Sequence, residues 1–453
     1  MAELNVWFHE SLVGGLSTNE DGRWGFQYDS QWIAERRFAI SPHLPLANKS
    51  KNDLAHQKTV EWFFENLLPE GVLREKLASE ASLSQSDTWG MLAEYGQEGP
   101  GALSILPKSS KPEVVGQLTP LPLEVLQDMI QRSKKGFPLM AASGVTKMSL
   151  PGTQEKLTLR INDGKLYLPK GALASTHILK PENLMYPFCP ANEWFVMNLS
   201  NAIGLVTAKA NLLTLPNGER AYYVERYDRK KTTNDFVERI HQVDLCQACN
   251  VSPRHKYESS GGLEAHDLFS ASNLCQITAQ GIRTSMQWIA FNYLIGNNDA
   301  HAKNASFFMR TEKLNPTPFY DLLCVEAYIE SSDMAMSIGG EIKAGWVEGH
   351  HWDAMALESG NDPRALRLIV KDLTNKVEKA LPDILKTPVL TSEEKDFVST
   401  KILPVMQERL RFAKEAMQQP PLSKGDIAKC ASPHIADRIA QKSKEKEDRA
   451  RGR

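Results

Sequence analysis

Six cysteines in 453 residues are too few for a disulfide framework and predict reduced thiols, as in a cytoplasm. No run of eighteen apolar residues occurs, so no membrane-spanning helix is expected. The first residues carry Glu3 and no long apolar segment, which does not read as a secretory signal. An excess of one charge is also missing. With 53 Lys+Arg against 55 Asp+Glu, the net charge is −2. That argues against a chain that coats nucleic acid by bulk electrostatics. What remains is globular composition, 42% hydrophobic and 24% charged, over a length that predicts roughly two to four domains.

The most informative stretch is Leu294-Ile295-Gly296-Asn297-Asn298-Asp299-Ala300-His301-Ala302-Lys303-Asn304-Ala305-Ser306-Phe307-Phe308. An apolar helix, Ile282 to Ile295, runs into it with Met286, Ile289, Ala290, Tyr293 and Leu294 inward. Asp299 and Asn304 stand five positions apart, the spacing of the catalytic-loop Asp and metal-holding Asn of kinases. A carboxylate must meet the hydroxyl that attacks the terminal phosphate of ATP. An amide oxygen must hold magnesium without adding a second negative charge. A second carboxylate is then needed, and Asp321 in Pro318-Phe319-Tyr320-Asp321 follows seventeen residues after Asn304. After it, Leu322 to Val325 predict a return to the core.

Residues 1–110 read as an N-terminal packing module. Trp24, Phe26 and Tyr28 alternate with other residues, as in a half-buried strand, after the turn Asn19-Glu20-Asp21-Gly22. Val60, Phe63, Phe64, Leu67 and Leu68 fall at helical spacing. Pro100 to Pro120 predicts a linker. Ser149 to Lys156, then Leu157 to Ile161, the turn Asn162-Asp163-Gly164 and Lys165 to Leu168 predict loop, strand, tight turn, strand. Small residues in such a loop let backbone N–H groups approach phosphates. Taken alone, the pattern fits an ordinary hairpin better than a phosphate loop.

Thr176 to Pro181 predicts a strand with Lys180 at its end, placed to meet phosphates or merely solvent. Ala191 to Leu205 predicts an amphipathic helix stopped by Gly204. Glu193 in its first turn is placed to face the helix dipole, to pair with a nucleotide lysine as in kinases, or to do both. Tyr222 to Asp228 predicts a strand delivering a hinge, and Arg229-Lys230-Lys231 a solvated turn. Cys246 and Cys249, with His241 and His255 nearby, form a single CxxC. Buried thiols fit it better than a metal site. Tyr257 to Gly262 predicts a flexible polar loop. Residues 360–420 predict helices separated by Pro breaks. Gln441 to Arg453, with six basic and three acidic residues, predicts disorder or a charged helix end.

Taken in order, Gly152-Thr153-Gln154-Glu155-Lys156, Thr176-His177-Ile178-Leu179-Lys180, Val224-Glu225-Arg226-Tyr227-Asp228, Asp299 to Asn304 and Pro318 to Asp321 resemble the HipA family of bacterial toxin serine/threonine kinases. The resemblance runs from the N-terminal module to about residue 420. It implies an α+β, two-lobed protein-kinase-like fold with an additional N-terminal β-rich subdomain and a mostly helical C-terminal lobe. The implied segments are residues 1–110, an N-lobe at 111–235, a helical C-lobe at 236–430 and a charged tail at 431–453. Asp299 would be the catalytic base, with Asn304 and Asp321 as magnesium ligands. Pro151 to Lys156 would form the phosphate loop, Lys180 the nucleotide lysine and Glu225 to Tyr227 the hinge. His301, Ala302, Lys303 and Tyr320 would complete the ATP contacts. Ser149 matches an autophosphorylated serine whose modification silences the enzyme. A phosphate of roughly −2 charge there would repel the nucleotide. Pro151 departs from the family's loop, and proline removes one N–H donor.

The resemblance also implies a helix-turn-helix antitoxin dimer as partner, with operator DNA reached through it. The substrate would be a serine of the translation machinery, such as one in glutamate–tRNA ligase. A small-molecule kinase of aminoglycoside or choline type shares the Asp-to-Asn spacing. A catalytically silent co-repressor and a metal hydrolase built on Asp299, His301 and Asp321 are the remaining alternatives.

Overall fold

The computed structural model describes residues 2–35, 37–46, 54–139, 150–232, 236–270, 276–309, 313–329 and 333–450. The chain divides into two units. Unit 1 takes residues 1–190, 208–253 and 306–312; unit 2 takes 191–207, 254–305 and 313–453. The units therefore run across the sequence segments. The N-terminal module and most of the expected N-lobe share unit 1, while the helix after Lys180 belongs chiefly to unit 2.

Unit 1 opens with an antiparallel sheet of β1 (Ala2–Phe8), β2 (Ser11–Thr18), β3 (Trp24–Tyr28) and β4 (Leu103–Pro107), in the order β3-β2-β1-β4. Trp24, Phe26 and Tyr28 are buried, as their alternation predicts. A Cβ on Gly14 would lie 2.3 Å from the Gln27 carbonyl oxygen, so β2 needs glycine where β3 crosses it. The Leu54–Glu65 helix packs on β3 and buries Val60, Phe63 and Phe64. The expected linker is partly strand, because β4 and β5 (Gly116–Pro120) both lie in it.

A second sheet follows. With β6 (Leu157–Asn162), β7 (Lys165–Gly171), β8 (His177–Pro181), β9 (Ala210–Thr214) and β10 (Arg220–Glu225), its order is β5-β7-β6-β8-β10-β9. Asp163 and Gly164 both have positive φ, 48° and 73°, as a tight hairpin turn between right-twisted strands requires. Leu157, Leu159, Leu168 and Leu179 pack with Leu126, Met129 and Ile130 of the Leu123–Lys134 helix. Each such burial contributes about 1.5–3 kcal/mol. This core sets the level of Lys180 and of the β10 end.

Unit 2 is mainly helical. Thr278 caps the Ala279–Leu294 helix, its hydroxyl accepting from Gly281 N–H. The five apolar residues expected inward on it are buried. The Pro363–Leu385 helix starts on Asp362 and carries Pro382 inside its last turn without breaking there. The tail differs from the disordered reading: Pro433–Ala450 is a helix. Ile435 and Ile439 pack with Ile427, Ala354 and Leu357. Those two isoleucines are the apolar stripe that the surrounding charges obscure in the sequence. No helix among the described residues is long and apolar enough to cross a membrane.

Candidate active site

In unit 2 the Ala279–Leu294 helix ends into Gly296, with φ +67°. A Cβ there would lie 2.6 Å from Val405 Cγ1, so a side chain is excluded as well. The two asparagines that follow act as braces. Asn297 Nδ2 donates to Asn292 Oδ1 at 2.7 Å, and Asn298 Nδ2 to Glu326 Oε1 at 2.8 Å. Glu326 is in turn paired with Arg409. Asp299 folds the loop back on itself, its carbonyl accepting from His301 N–H at 2.8 Å and Asn304 Nδ2 at 3.1 Å. The latter bond uses the NH2 group of the Asn304 amide, whose oxygen is the atom that could hold a cation. His301, Ala302, Lys303 and Asn304 are all buried.

The Asp299 carboxylate has a partner that the sequence does not suggest. Tyr257 hydroxyl donates to Asp299 Oδ1 at 2.6 Å. The Tyr257 ring meets the His301 ring edge-on at 5.1 Å, and Lys256 carbonyl accepts from Ala302 N–H at 3.1 Å. The segment expected to be a flexible polar loop is therefore joined to the Asp299–Asn304 loop through Tyr257, with Lys256 just before it adding a second hydrogen bond. A tyrosine in a Ser/Gly-rich stretch carries no local signal of this.

The Asp321 segment is tied to the same loop. Tyr320 hydroxyl donates to Lys303 carbonyl at 2.8 Å. Val325 and Glu326 N–H groups donate to Gly296 carbonyl at 3.0 and 3.1 Å. Asn192 holds the segment from the other side, donating to Cys324 carbonyl at 2.9 Å and accepting from Cys324 N–H at 2.8 Å. Leu322 and Cys324 are fully buried, as expected for a return to the core. Asp321 has φ +55°, a left-handed conformation uncommon for a non-glycine residue and concentrated at functional sites. Glu193 follows Asn192 on the Cys189–Ala202 helix and is buried, as is nearly every residue of that helix before Asn201. The helix is thus enclosed rather than amphipathic.

In unit 1, Ser149 lies outside the described residues. Pro151 to Lys156 form a loop closed on itself, with Lys156 Nζ donating to Pro151 carbonyl. Gly152 has φ +107°, and a Cβ there would lie 2.6 Å from Lys156 Nζ. Glu155 accepts from Lys76 Nζ at 2.9 Å and from Leu139 N–H at 3.0 Å. Gln154 Nε2 reaches Cys189 Sγ at 4.0 Å. These side chains have protein partners, which leaves the loop backbone as the part suited to phosphate. Lys180, on β8, is buried, with Nζ 5.6 Å from the Tyr222 ring centroid.

The expected hinge is partly something else. Glu225 is exposed, with Lys209 Nζ 3.6 Å away, and Tyr227 packs edge-on to Phe308 at 6.0 Å. The Arg226 guanidinium is consumed by protein: Asp228 at 3.0 and 2.8 Å, Gly99 carbonyl at 2.9 Å and Ser175 Oγ at 3.1 Å. Arg229 is not a solvated turn residue. Its side chain is 2% exposed and pairs with Asp228 and Glu98. Burial by itself would raise Glu98, but Arg239, Arg226 and Arg229 outweigh it and hold its pKa at about 2. Burial likewise opposes Asp228, and Arg226 and Arg229 hold it at about 2.

Cys246 is buried on the Leu245–Cys249 helix and His241 Nε2 pairs with Ile40 carbonyl at 2.8 Å, so the CxxC is thiol packing. Among the described residues, the His/Cys/Asp/Glu group tight enough for a metal is Glu264, His266 and Glu358. Asp299, His301 and Asp321 do not form such a group.

Two family models match the chain: a HipA N-terminal domain over residues 4–106 and a HipA-like C-terminal domain over residues 148–381. The "Putative kinase Y4mE" of Sinorhizobium fredii is 33% identical over 397 residues, covering 84% of this chain and 92% of the relative. The "Serine/threonine-protein kinase toxin HipA" of Shewanella oneidensis is 29% identical over 436 residues, covering 91% of this chain and 97% of the relative. Among solved structures, the Shewanella oneidensis toxin–antitoxin complex of HipA, HipB and operator DNA aligns with a TM-score of 0.79 at 27% identity. The alignment covers 92% of this chain and all of that one. With its α+β kinase-like fold and both domain models matched in order, the chain belongs to the HipA family.

Proposed function

We propose that this chain is a serine/threonine protein kinase toxin that transfers the γ-phosphate of ATP to a serine hydroxyl of a translation component, such as an aminoacyl-tRNA synthetase for glutamate. Self-phosphorylation at Ser149 would silence it. A helix-turn-helix antitoxin dimer on operator DNA would neutralise it, in keeping with the complex that its Shewanella relative forms with HipB and operator DNA. The single observation that carries the reading is the bracing of Asp299. One carboxylate oxygen is held by Tyr257 at 2.6 Å, which leaves the other to orient a substrate hydroxyl and accept its proton.

The rest of the set fits the same chemistry. Asn304, its amide held by the Asp299 carbonyl, and Asp321 offer one neutral and one charged oxygen, a donor set that suits magnesium. Lys180 offers a cation to phosphates, and the Gly152 to Gln154 backbone offers N–H donors. Glu193 keeps the supporting role that the family resemblance gives it. Bound ATP with magnesium supplies the phosphoryl group and offsets its charge. The chain's own residues hold the acceptor, take its proton and orient the nucleotide.

The test is incubation with labelled ATP and magnesium. Label should enter wild type at Ser149 and fall by about 10²–10⁴-fold in Asp299→Asn. Equal labelling of both proteins ends the base assignment. Tyr257→Phe keeps the ring on His301 but removes the donor. We expect kcat to fall about tenfold with the KM for ATP within about twofold, because the carboxylate that takes the proton is no longer held in place. An unchanged kcat would show that Tyr257 is merely packed there.

A further inference from the structure

The proposed chemistry gives the N-terminal subdomain no part. Beside bonds to His241, Gln247, Ala248 and Val251, its contacts within unit 1 include the phosphate loop and the end of the expected hinge. At the phosphate loop, Glu70 N–H donates to Gly152 carbonyl at 3.2 Å, and Lys76 Nζ donates to Glu155 Oε1 at 2.9 Å. Gly71 lies so close to Thr153 that a Cβ would come within 3.1 Å of its methyl carbon. At the end of β10, Gly101 N–H donates to Asp228 Oδ2 at 2.7 Å. Arg226 donates to Gly99 carbonyl at 2.9 Å and Arg229 to Gly101 carbonyl at 2.8 Å. Glu98 accepts from Ser175 N–H at 3.0 Å and Ser175 hydroxyl at 2.6 Å.

We infer that the N-terminal subdomain is a clamp for nucleotide binding, with Lys76 positioning the phosphate loop and Glu98 positioning the hinge. The physical reason is entropy. A loop containing a positive-φ glycine has many unbound conformations, and ordering it on binding would cost affinity. Holding it beforehand from a separate subdomain removes that cost from the binding step. A device of this kind strengthens ground-state and transition-state binding alike. It therefore acts on ATP affinity and leaves the rate of the chemical step alone.

The clamp rests on the nucleotide reading of unit 1, and Lys180→Ala in the full-length chain tests that reading separately. If Lys180→Ala leaves ATP affinity unchanged, the reading falls and the clamp with it. Given a Lys180 effect, Lys76→Met decides the clamp. We expect its ATP Kd and KM to rise about 5–10-fold while kcat stays within about twofold. Lys76→Glu should bind ATP worse still, and adding Glu155→Lys should recover most of the loss, which a nonspecific packing defect would not do. Glu98→Gln should raise KM in the same way. Because Glu98 is buried and its variant can fail to fold, the Lys76 series is the deciding one. Wild-type ATP affinity in Lys76→Met, or a fall in kcat with no recovery on charge exchange, overturns the clamp.

Discussion

Unit 1 sets Arg226, Arg229 and Arg239 against Glu98 and Asp228 at full burial, whereas unit 2 sets Arg438 and His266 against Glu264 and Glu358 with part of the cluster in water. Both clusters hold an outer element to its unit: the N-terminal subdomain in the first, the Pro433–Ala450 helix in the second. Arg438 reaches Glu264 at 2.6 Å and Glu358 at 2.9 Å. The ligand atoms of Glu264, His266 and Glu358 lie within 4.8 Å of one another, and the guanidinium supplies the cation that such a group invites. The difference lies in escape. Glu98 and Asp228 are held near 2 by their arginines and stay charged at any ordinary pH. Glu358 is pushed up to about 7, by burial first, so a proton is available to it instead of a cation. A buried carboxylate with ample cations becomes a permanent fixture, and one with too few becomes a titratable one.

Removing one carboxylate from the fixed cluster probes this contrast hardest. Glu98→Ala leaves buried arginines without compensation and should cost about 3–5 kcal/mol, read as a lowered denaturant midpoint. A loss below about 1 kcal/mol would show that water already reaches the arginines. Arg438→Met in the titratable cluster should cost only about 1 kcal/mol, because Glu358 can take up a proton when its cation leaves. Equal losses at the two sites would erase the distinction.

The smallest effect is on pH. Glu358 has a folded pKa above its ordinary 4.5, so the helix contact weakens as pH rises from 4.5 through about 7. Burial opposes the charge of His266, but Glu264, Asp267 and Glu358 outweigh it and raise its pKa above the ordinary 6.5. Its contribution is complete below 6.5 and is lost as pH climbs through the raised value. Glu264, held at about 2 against burial by His266 and Arg438, contributes above 4.5 and loses that contribution as pH falls toward 2. The Pro433–Ala450 helix should therefore show its highest amide protection near pH 4.5, falling as pH rises to about 8. The β10 end, fixed by Glu98 and Asp228, should stay flat over that range. Greater protection of the helix at the alkaline end would reverse the assignment.

Much of the framework is legible in the residues alone. The Asn162-Asp163-Gly164 turn, the Trp24-Phe26-Tyr28 alternation and the buried face of the Ala279–Leu294 helix follow from local periodicity and turn chemistry. The Asp299-to-Asn304 spacing is legible because both residues share one short loop. Arg229 reads as solvated because basic residues in a run usually face water, and its burying partner Glu98 stands 131 positions away. Tyr257 gives no sign of its role because its partner Asp299 is 42 positions on. The last helix is obscured because two isoleucines carry its packing within a stretch crowded with charge.

The order of residues along the chain dictates where strands and helices start, which loop carries the base and amide, and which family the whole resembles. These depend on torsional preferences and on spacings of a few residues along one segment. The folded arrangement alone settles which charges leave water, which oxygen of Asp299 Tyr257 holds, and which side chains of the first subdomain meet the Gly152 loop. Desolvation and pairing are set by neighbours brought together from distant positions, and no local pattern encodes who those neighbours are.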